Sequence, residues 1–286
     1  ILGPLPTVKA PLKLEVISEE KLPGFTRQYV RYQIEEGVWT DGYLLIPSLA
    51  KGVRTAGVVV FHSTVKQQAR LVAGVDQDVP DKMQGVQMAE LGFVALCPRN
   101  FIFNEGADFN GNVAKLKALH PDWTGMLRML WDGMRAVDVL QSLPQVDPSR
   151  IGTIGHSLGA KEALYMAALD ERVRASVSSE GGVGMSMTNW EAPWYYGPQV
   201  KAPDFTHDHH ELLALIAPRA LLILGGNSAD TDADQAYVKA AMPVFESYGA
   251  KDSLIFFNHR LGHAYPPLAR EKARAFLLRF LARNEK

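Results

Sequence analysis

Apolar and polar positions follow two regimes along the chain. Near the start, "FTRQYVRYQIE" and "VWTDGYLLIP" alternate apolar and polar residues and meet at Glu36-Gly37, which predicts an antiparallel hairpin. Beyond it the alternation gives way to short continuous apolar runs: "TAGVVVFH", "GFVALCPR", "RIGTIGHS", "VRASVSSE", "RALLILGG" and "SLIFFNH". Continuous runs of this length predict strands buried on both faces, as in a parallel sheet.

Helical spacing fills the intervals. "DKMQGVQMAELG" stops at Gly92, and "TGMLRMLWDGMRAVDVLQSL" repeats Leu127, Leu130, Met134, Val137 and Leu140 at three and four residues. Further helices are expected from about Ala160 to Leu169, over "DADQAYVKAAMPVFESYG" with Pro243 as a kink or break, and over "LAREKARAFLLRFLAR". Strands alternating with helices predict an α/β fold, a doubly wound and mostly parallel sheet with an N-terminal antiparallel hairpin. Such sheets bind ligands beyond the carboxyl ends of their strands.

No repeat, low-complexity tract or linker divides the 286 residues, so one domain over 1–286 is expected. Thirty basic and 31 acidic residues leave a net charge of −1 with no block of either sign, which gives no reason to expect nucleic acid or an anionic membrane as partner. No apolar run is long enough to predict a membrane span. The single cysteine, Cys97, allows neither an intrachain disulfide nor a cysteine metal cage. These features fit a cytoplasmic protein, or a periplasmic or secreted one whose leader was removed before Ile1. Oligomeric state is not legible.

Candidate chemistry centres on "GHSLG", residues 155–159. A strand that becomes a helix within so few residues holds its central residue in a strained conformation. It also brings strand and helix so close that side chains two positions to either side would clash. Gly155 and Gly159 remove those side chains, and Ser157 is lifted clear of the sheet with its hydroxyl exposed. The helix behind it directs its positive end at the same point. G-x-S-x-G framed by a strand and a helix predicts a nucleophilic serine.

Such a serine needs a base and a group to orient the base. After the last strand, "FFNHRLGHAYPP" offers His259 and His263; His263, in the glycine-containing loop before the final helix, is preferred. For the acid, Asp230 follows the penultimate strand most closely and Asp232 comes next, while Asp234 reads as a helix cap. Glu180, ending "RASVSSE" before Gly181-Gly182, is the rival. The order Ser157, Asp230, His263 is the one expected for an α/β-hydrolase.

Other features are read more plainly. "NWEAPWYYGP" gathers Trp190, Trp194, Tyr195 and Tyr196 in a lid or pocket-lining insertion around 181–210. In "THDHHE", adjacent histidines diverge on one element, so a helix start near Asp208 is expected and no metal site. His62 is expected to shape its loop. Gly225-Gly226 lacks the G-x-G-x-x-G pattern of a dinucleotide site.

Together "VWTDGYLLIP", "VVVFHST", "LGFVALCPR", "LWDGMRAVDVL", "GHSLGAKEALY", "SSEGG", "HELLALIAPRALLILGG" and "FFNHRLGH" resemble dienelactone-hydrolase-type α/β-hydrolases, in the branch around acetyl xylan esterase-like and glucuronoyl esterase-like proteins. The resemblance runs from about Tyr43 to the C-terminus. It implies Ser157 as nucleophile, His263 as base, the Leu158 N–H as one oxyanion donor and Thr64 or Ser63 as the second. It implies a serine esterase without a cofactor, acting on small or carbohydrate-linked esters. Glucuronoyl esterases can carry the acid at the position of Glu180. They usually carry arginine after the nucleophile, where this chain has Leu158, while Lys161 matches their elbow lysine. A neutral ester is therefore expected, with Lys161, Trp190, Trp194 and Tyr195 as candidate substrate contacts. A serine amidase or peptidase, or a binding protein that retains the fold without the chemistry, are the alternatives.

Overall fold

The computed structural model describes residues 2–6, 9–49 and 52–282. Among these, nine strands form one sheet: β1 (Glu15–Leu22), β2 (Phe25–Glu35), β3 (Val38–Pro47), β4 (Thr55–Phe61), β5 (Val94–Pro98), β6 (Val146–His156), β7 (Val173–Ser179), β8 (Ala220–Gly225) and β9 (Leu254–Asn258). Their spatial order is β1-β2-β3-β5-β4-β6-β7-β8-β9. The first three are antiparallel and β3 runs antiparallel to β5, after which every pairing is parallel. The sheet and its flanking helices are those of an α/β-hydrolase, with the N-terminal hairpin that the alternating pattern predicts.

Eight α-helices accompany the strands among the described residues: α1 (Ala69–Val72), α2 (Gln84–Glu90), α3 (Phe109–Leu119), α4 (Gly125–Ser142), α5 (Leu158–Leu169), α6 (His209–Ala214), α7 (Gln235–Ser247) and α8 (Pro267–Leu281). The helix over α7 continues through Pro243. None among the described residues is long and apolar enough to cross a membrane.

The apolar runs are explained by burial on both faces. In β4, Val59 and Phe61 enter the core beneath α4 and α5, while Val58 and Val60 enter the one beneath α2 and α8. In β8, Leu221 and Ile223 pack towards α6 and α7, and Leu222 and Leu224 towards α8. A polar residue at any of these positions would lose its water and find no partner, so alternation disappears.

α4 is anchored by chemistry as well as packing. Thr124 caps it, its hydroxyl accepting the Leu127 N–H at 3.1 Å. The buried Arg128 binds Asp132 one turn on and also reaches Glu35 on β2 at 3.4 Å. Burial pushes the Asp132 carboxyl up to about 6, against the pull of Arg128.

Three elements escaped the pattern reading, among them α1, whose four residues are too few to show a helical period. β1 is an exposed edge strand, charged on both faces, so it carries no apolar signature. α3 begins at Asp108, whose carboxylate caps the Gly111 N–H at 2.7 Å.

Candidate active site

β6 ends at His156 and α5 begins at Leu158, leaving Ser157 alone in the turn with φ 60° and ψ −117°. A side chain in that region is strained, and the surroundings hold it there. The Ser157 N–H donates to the Ser179 carbonyl at 2.8 Å, fixing the elbow to the end of β7. A methyl group on Gly155 would strike the backbone of Gly159, and one on Gly159 would strike the carbonyl of Phe61. Strand, elbow and helix are thus in backbone contact.

Beside the elbow runs the segment after β4. The Ser63 hydroxyl donates to the His156 carbonyl at 3.1 Å, tying this segment to the residue before Ser157. His62 is buried and held as one neutral tautomer: Nδ1–H donates to the Ser63 carbonyl at 2.8 Å, and Nε2 accepts the Asn100 N–H at 3.1 Å. Burial depresses its pKa to about 4, which removes it from proton transfer near neutral pH. It shapes the loop, as expected. Among the described residues, the N–H groups of Leu158, Ser63 and Thr64 donate to no atom. The first N–H groups of a helix have no partner within it, so Leu158 is open by construction.

His263 lies on the loop between β9 and α8, its ring 4.8 Å from that of His156. Its Nδ1 meets Glu180 Oε2 at 3.1 Å. The Glu180 side chain is fully buried, whereas that of His263 is 42% exposed. The same carboxylate accepts the Ala229 N–H at 2.9 Å, the Asp230 N–H at 3.4 Å and the Gly226 N–H. Burial alone would raise the Glu180 pKa, but the bonds from His263 and the three backbone donors outweigh it and the net shift is downward. An ionised carboxylate only accepts, so the proton of the His263–Glu180 bond sits on Nδ1, and Nε2 carries the lone pair. Neither His263 Nε2 nor Ser157 Oγ is hydrogen-bonded among the described residues.

The first-choice acid requires a correction: Asp230 does not reach the histidine. Its carboxylate accepts the N–H groups of Gly182 at 3.0 Å and Val183 at 2.7 Å. The turn 226–230 folds back on itself, with the Asp230 carbonyl accepting from Gly226 at 3.2 Å and Asn227 at 3.0 Å. That fold turns the Asp230 side chain towards the segment after β7 and lets its N–H bind Glu180. Burial raises the Asp230 pKa to about 6, against its two backbone bonds. Asp232 is also elsewhere, exposed and paired with Asn258 at 2.9 Å and Arg260 at 2.8 Å. Asp234 closes a capping box with Thr231. His259 is buried, its Nδ1 accepting the Leu261 N–H at 3.1 Å.

The aromatic segment needs a second correction. Trp190 and Tyr195 are buried in the core, at 0% and 3% exposure, and wall no open space. Trp190 donates its indole N–H to the Gly182 carbonyl at 2.9 Å. Lys161 is sealed behind it, with Nζ 3.6 Å from the Trp190 ring centroid and bonded to Thr188. Burial pulls the lysine's pKa down to about 7, opposed by Asp230 and Glu191. Trp194 is different: partly exposed, it lines a cavity with Phe103 and Phe109. His209 begins α6 from an Asp208 cap, and its ring is fixed between the Val183 carbonyl and the Tyr165 hydroxyl, each at 2.6 Å. Among the described residues no three His, Cys, Asp or Glu side chains are grouped to hold a metal ion.

The chain resembles known proteins. The chain is 28% identical over 160 residues to a 4-O-methyl-glucuronoyl methylesterase of Sodiomyces alcalophilus, a match over 46% of this chain and 32% of the relative. It spans between about a third and about half the length of the curated relatives it matches. Among solved structures, a glucuronoyl esterase from Solibacter usitatus superposes with a TM-score of 0.73 at 19% identity, covering 96% of this chain and 88% of that one. A glucuronoyl esterase from Teredinibacter turnerae T7901 gives 0.75 at 20%, covering 97% and 80%. These similarities establish a shared fold. The model of the dienelactone hydrolase family matches residues 40–210, more than half of the sequence, and the chain belongs to that family.

Proposed function

We propose that the protein is a serine carboxylic-ester hydrolase that acts on esters attached to carbohydrate, with Ser157, His263 and Glu180 as its triad. The observation that carries the proposal is the His263–Glu180 bond of 3.1 Å, with the His263 ring 4.8 Å from that of His156, the residue before a serine held at φ 60°. That bond leaves the base with its lone pair on Nε2, the atom that must receive the serine proton.

In the reaction, Ser157 Oγ attacks the ester carbonyl carbon while His263 Nε2 takes the hydroxyl proton. The carbonyl oxygen becomes an oxyanion that accepts from the open N–H of Leu158 and from that of Thr64 or Ser63. Donors fixed in advance cost no reorganisation, and losing one costs about 3–4 kcal/mol. The tetrahedral species collapses as His263 returns the proton to the departing alcohol oxygen, leaving an acyl-serine. Water then adds by the same route and releases the acid. Glu180 stays ionised throughout and stabilises the imidazolium.

Two features bear on the substrate. The relatives with glucuronoyl esterase names support an ester borne by a sugar. Leu158 supplies no cation beside the nucleophile, and Lys161 is buried under Trp190, so the site favours an uncharged ester group. The test is a panel of acetylated xylo-oligosaccharides, methyl esters of uronate-bearing oligosaccharides, 4-nitrophenyl acetate and matched amides. Faster turnover of sugar-borne esters than of the amides is expected. Preference for the amides would mark an amidase instead, and inertness to every member would overturn the proposal.

A further inference from the structure

Two cavities open at the end of the sheet that carries the elbow. One, of about 600 Å³, lies between the β1–β3 hairpin and the segment following β4; the other, of about 530 Å³, lies where the chain enters α3. Each has the size of an ordinary small-molecule site. Gln68, Phe103 and Glu105 line both, so the two form one groove. The groove starts beside the segment offered for the oxyanion: the Phe103 ring stands edge-on to His62 at 5.2 Å, followed by Phe109 at 4.8 Å and Trp194 at 5.6 Å.

The larger cavity has a distinctive chemistry. Tyr29 and Tyr43 stand with ring centroids 5.1 Å apart on neighbouring strands. Its guanidinium groups are already neutralised: Arg27 by Glu20 at 2.6 Å, Arg99 by Asp41, and Arg70 by two bonds of 2.8 Å to Asp76. Paired charges give fixed donors and acceptors without a net field to hold an ion. Of the charged side chains in that lining, Lys66 has no carboxylate partner and Glu19 bonds only to Gln28 among the described residues, one charge of each sign. A sugar ring complements such a wall, with a face of C–H bonds to lay on the electron-rich face of an aromatic ring and an edge of hydroxyls that both donate and accept.

Gln68 stands where the cavities meet. It has φ 53° and ψ −135°, a rare conformation for a residue with a side chain, and its amide bonds to nothing among the described residues.

We propose that this groove binds neutral sugar residues of the chain that carries the ester, with Tyr29 and Tyr43 as the stacking platform and Gln68 bonding hydroxyls at the junction. The proposal rests on the carbohydrate-ester reading above and deepens it: the enzyme recognises the polymer as well as the ester.

The experiment titrates xylotetraose, a neutral pentose chain without an ester, into the wild-type protein, Tyr29→Ala and Gln68→Ala, by calorimetry and saturation-transfer NMR. Rates on 4-nitrophenyl acetate are measured in parallel. The wild type binds the tetrasaccharide, and each variant binds it about tenfold more weakly, the loss expected for one stacked ring or one bonded amide. Rates on the small ester stay within about twofold, while KM rises on an oligosaccharide-borne ester. Should Tyr29→Ala lose the small-ester rate through misfolding, Gln68→Ala decides. Absence of tetrasaccharide binding to the wild type, or equal binding by both folded variants, would overturn the groove. Tyr29-dependent binding of an acidic chain alone would overturn its assignment to neutral sugars. Tyr29-dependent binding of xylotetraose by a protein that hydrolyses no ester would sustain the groove and sink the esterase reading.

Discussion

Replacing Glu180 by glutamine removes one charge while keeping the size of the side chain, and the structure sets what that should cost. In the transition state of the proposed mechanism His263 is an imidazolium, and its Nδ1 lies 3.1 Å from Glu180 Oε2 in the structure. Two unit charges at that distance attract by about 5 kcal/mol at an effective dielectric of about 20, and by about 1.3 kcal/mol in bulk water. With Glu180 buried and His263 42% exposed, the pair lies between these limits. A middle value of about 3 kcal/mol corresponds to a fall in kcat of about a hundredfold. Glutamine also has one acceptor oxygen where four donors converge, so its NH2 must oppose a backbone N–H of Gly226, Ala229 or Asp230. Asp230→Asn is the matched control. It loses a bond to Gly182 or Val183 and stability of about 1–3 kcal/mol, but leaves kcat within about tenfold because it does not touch the histidine. The assay is initial rates on a small ester at neutral pH, with thermal unfolding of each variant alongside. A larger loss of kcat in Asp230→Asn than in Glu180→Gln, with both variants folded, would refute the reasoning.

Two further outcomes follow from burial. Lys161 holds its proton less tightly when folded, its pKa falling from 10.5 to about 7 through burial, so below about pH 7 the folded state bears the full cost of the charge and between there and 10.5 stability rises with pH. Lys161→Met removes that dependence, so the wild type should gain on the variant by up to about 4 kcal/mol between pH 7 and pH 10 in denaturant unfolding; a gap independent of pH would show the lysine to be neutral or hydrated. Gly159→Ala drives a methyl into the Phe61 carbonyl and should lower stability by at least about 3 kcal/mol, read from the midpoint of urea unfolding, whereas a near-normal midpoint would mean that the elbow yields.

The sequence carried the elbow because its geometry permits so little else. Gly155 and Gly159 are in backbone contact with their neighbours, so the requirement is written in residue type. The parallel strands were legible for a similar reason, since two-sided burial in β4 and β8 tolerates only apolar side chains. The partner of His263 was not legible. Glu180 and Asp230 both follow strands that point at the site, and only the fold-back of residues 226–230 decides which carboxylate faces the histidine. One hint lay in the "EGG" after β7, because Glu180 adopts φ 55° there. The aromatic cluster misled because residue type does not say which face a loop turns inward: Trp190 and Tyr195 went to the core and Trp194 to the groove. The groove had no signature in the chain, being assembled from Tyr29, Gln68 and Phe103 on three separate elements.

The claim underneath all of this is that Ser157 is an armed nucleophile. Incubation with a fluorophosphonate, read by intact mass for the wild type and Ser157→Ala, tests it most directly. The account predicts a single adduct on the wild type and none on the variant. A folded wild type that takes no label, or an adduct that persists in Ser157→Ala, would contradict it.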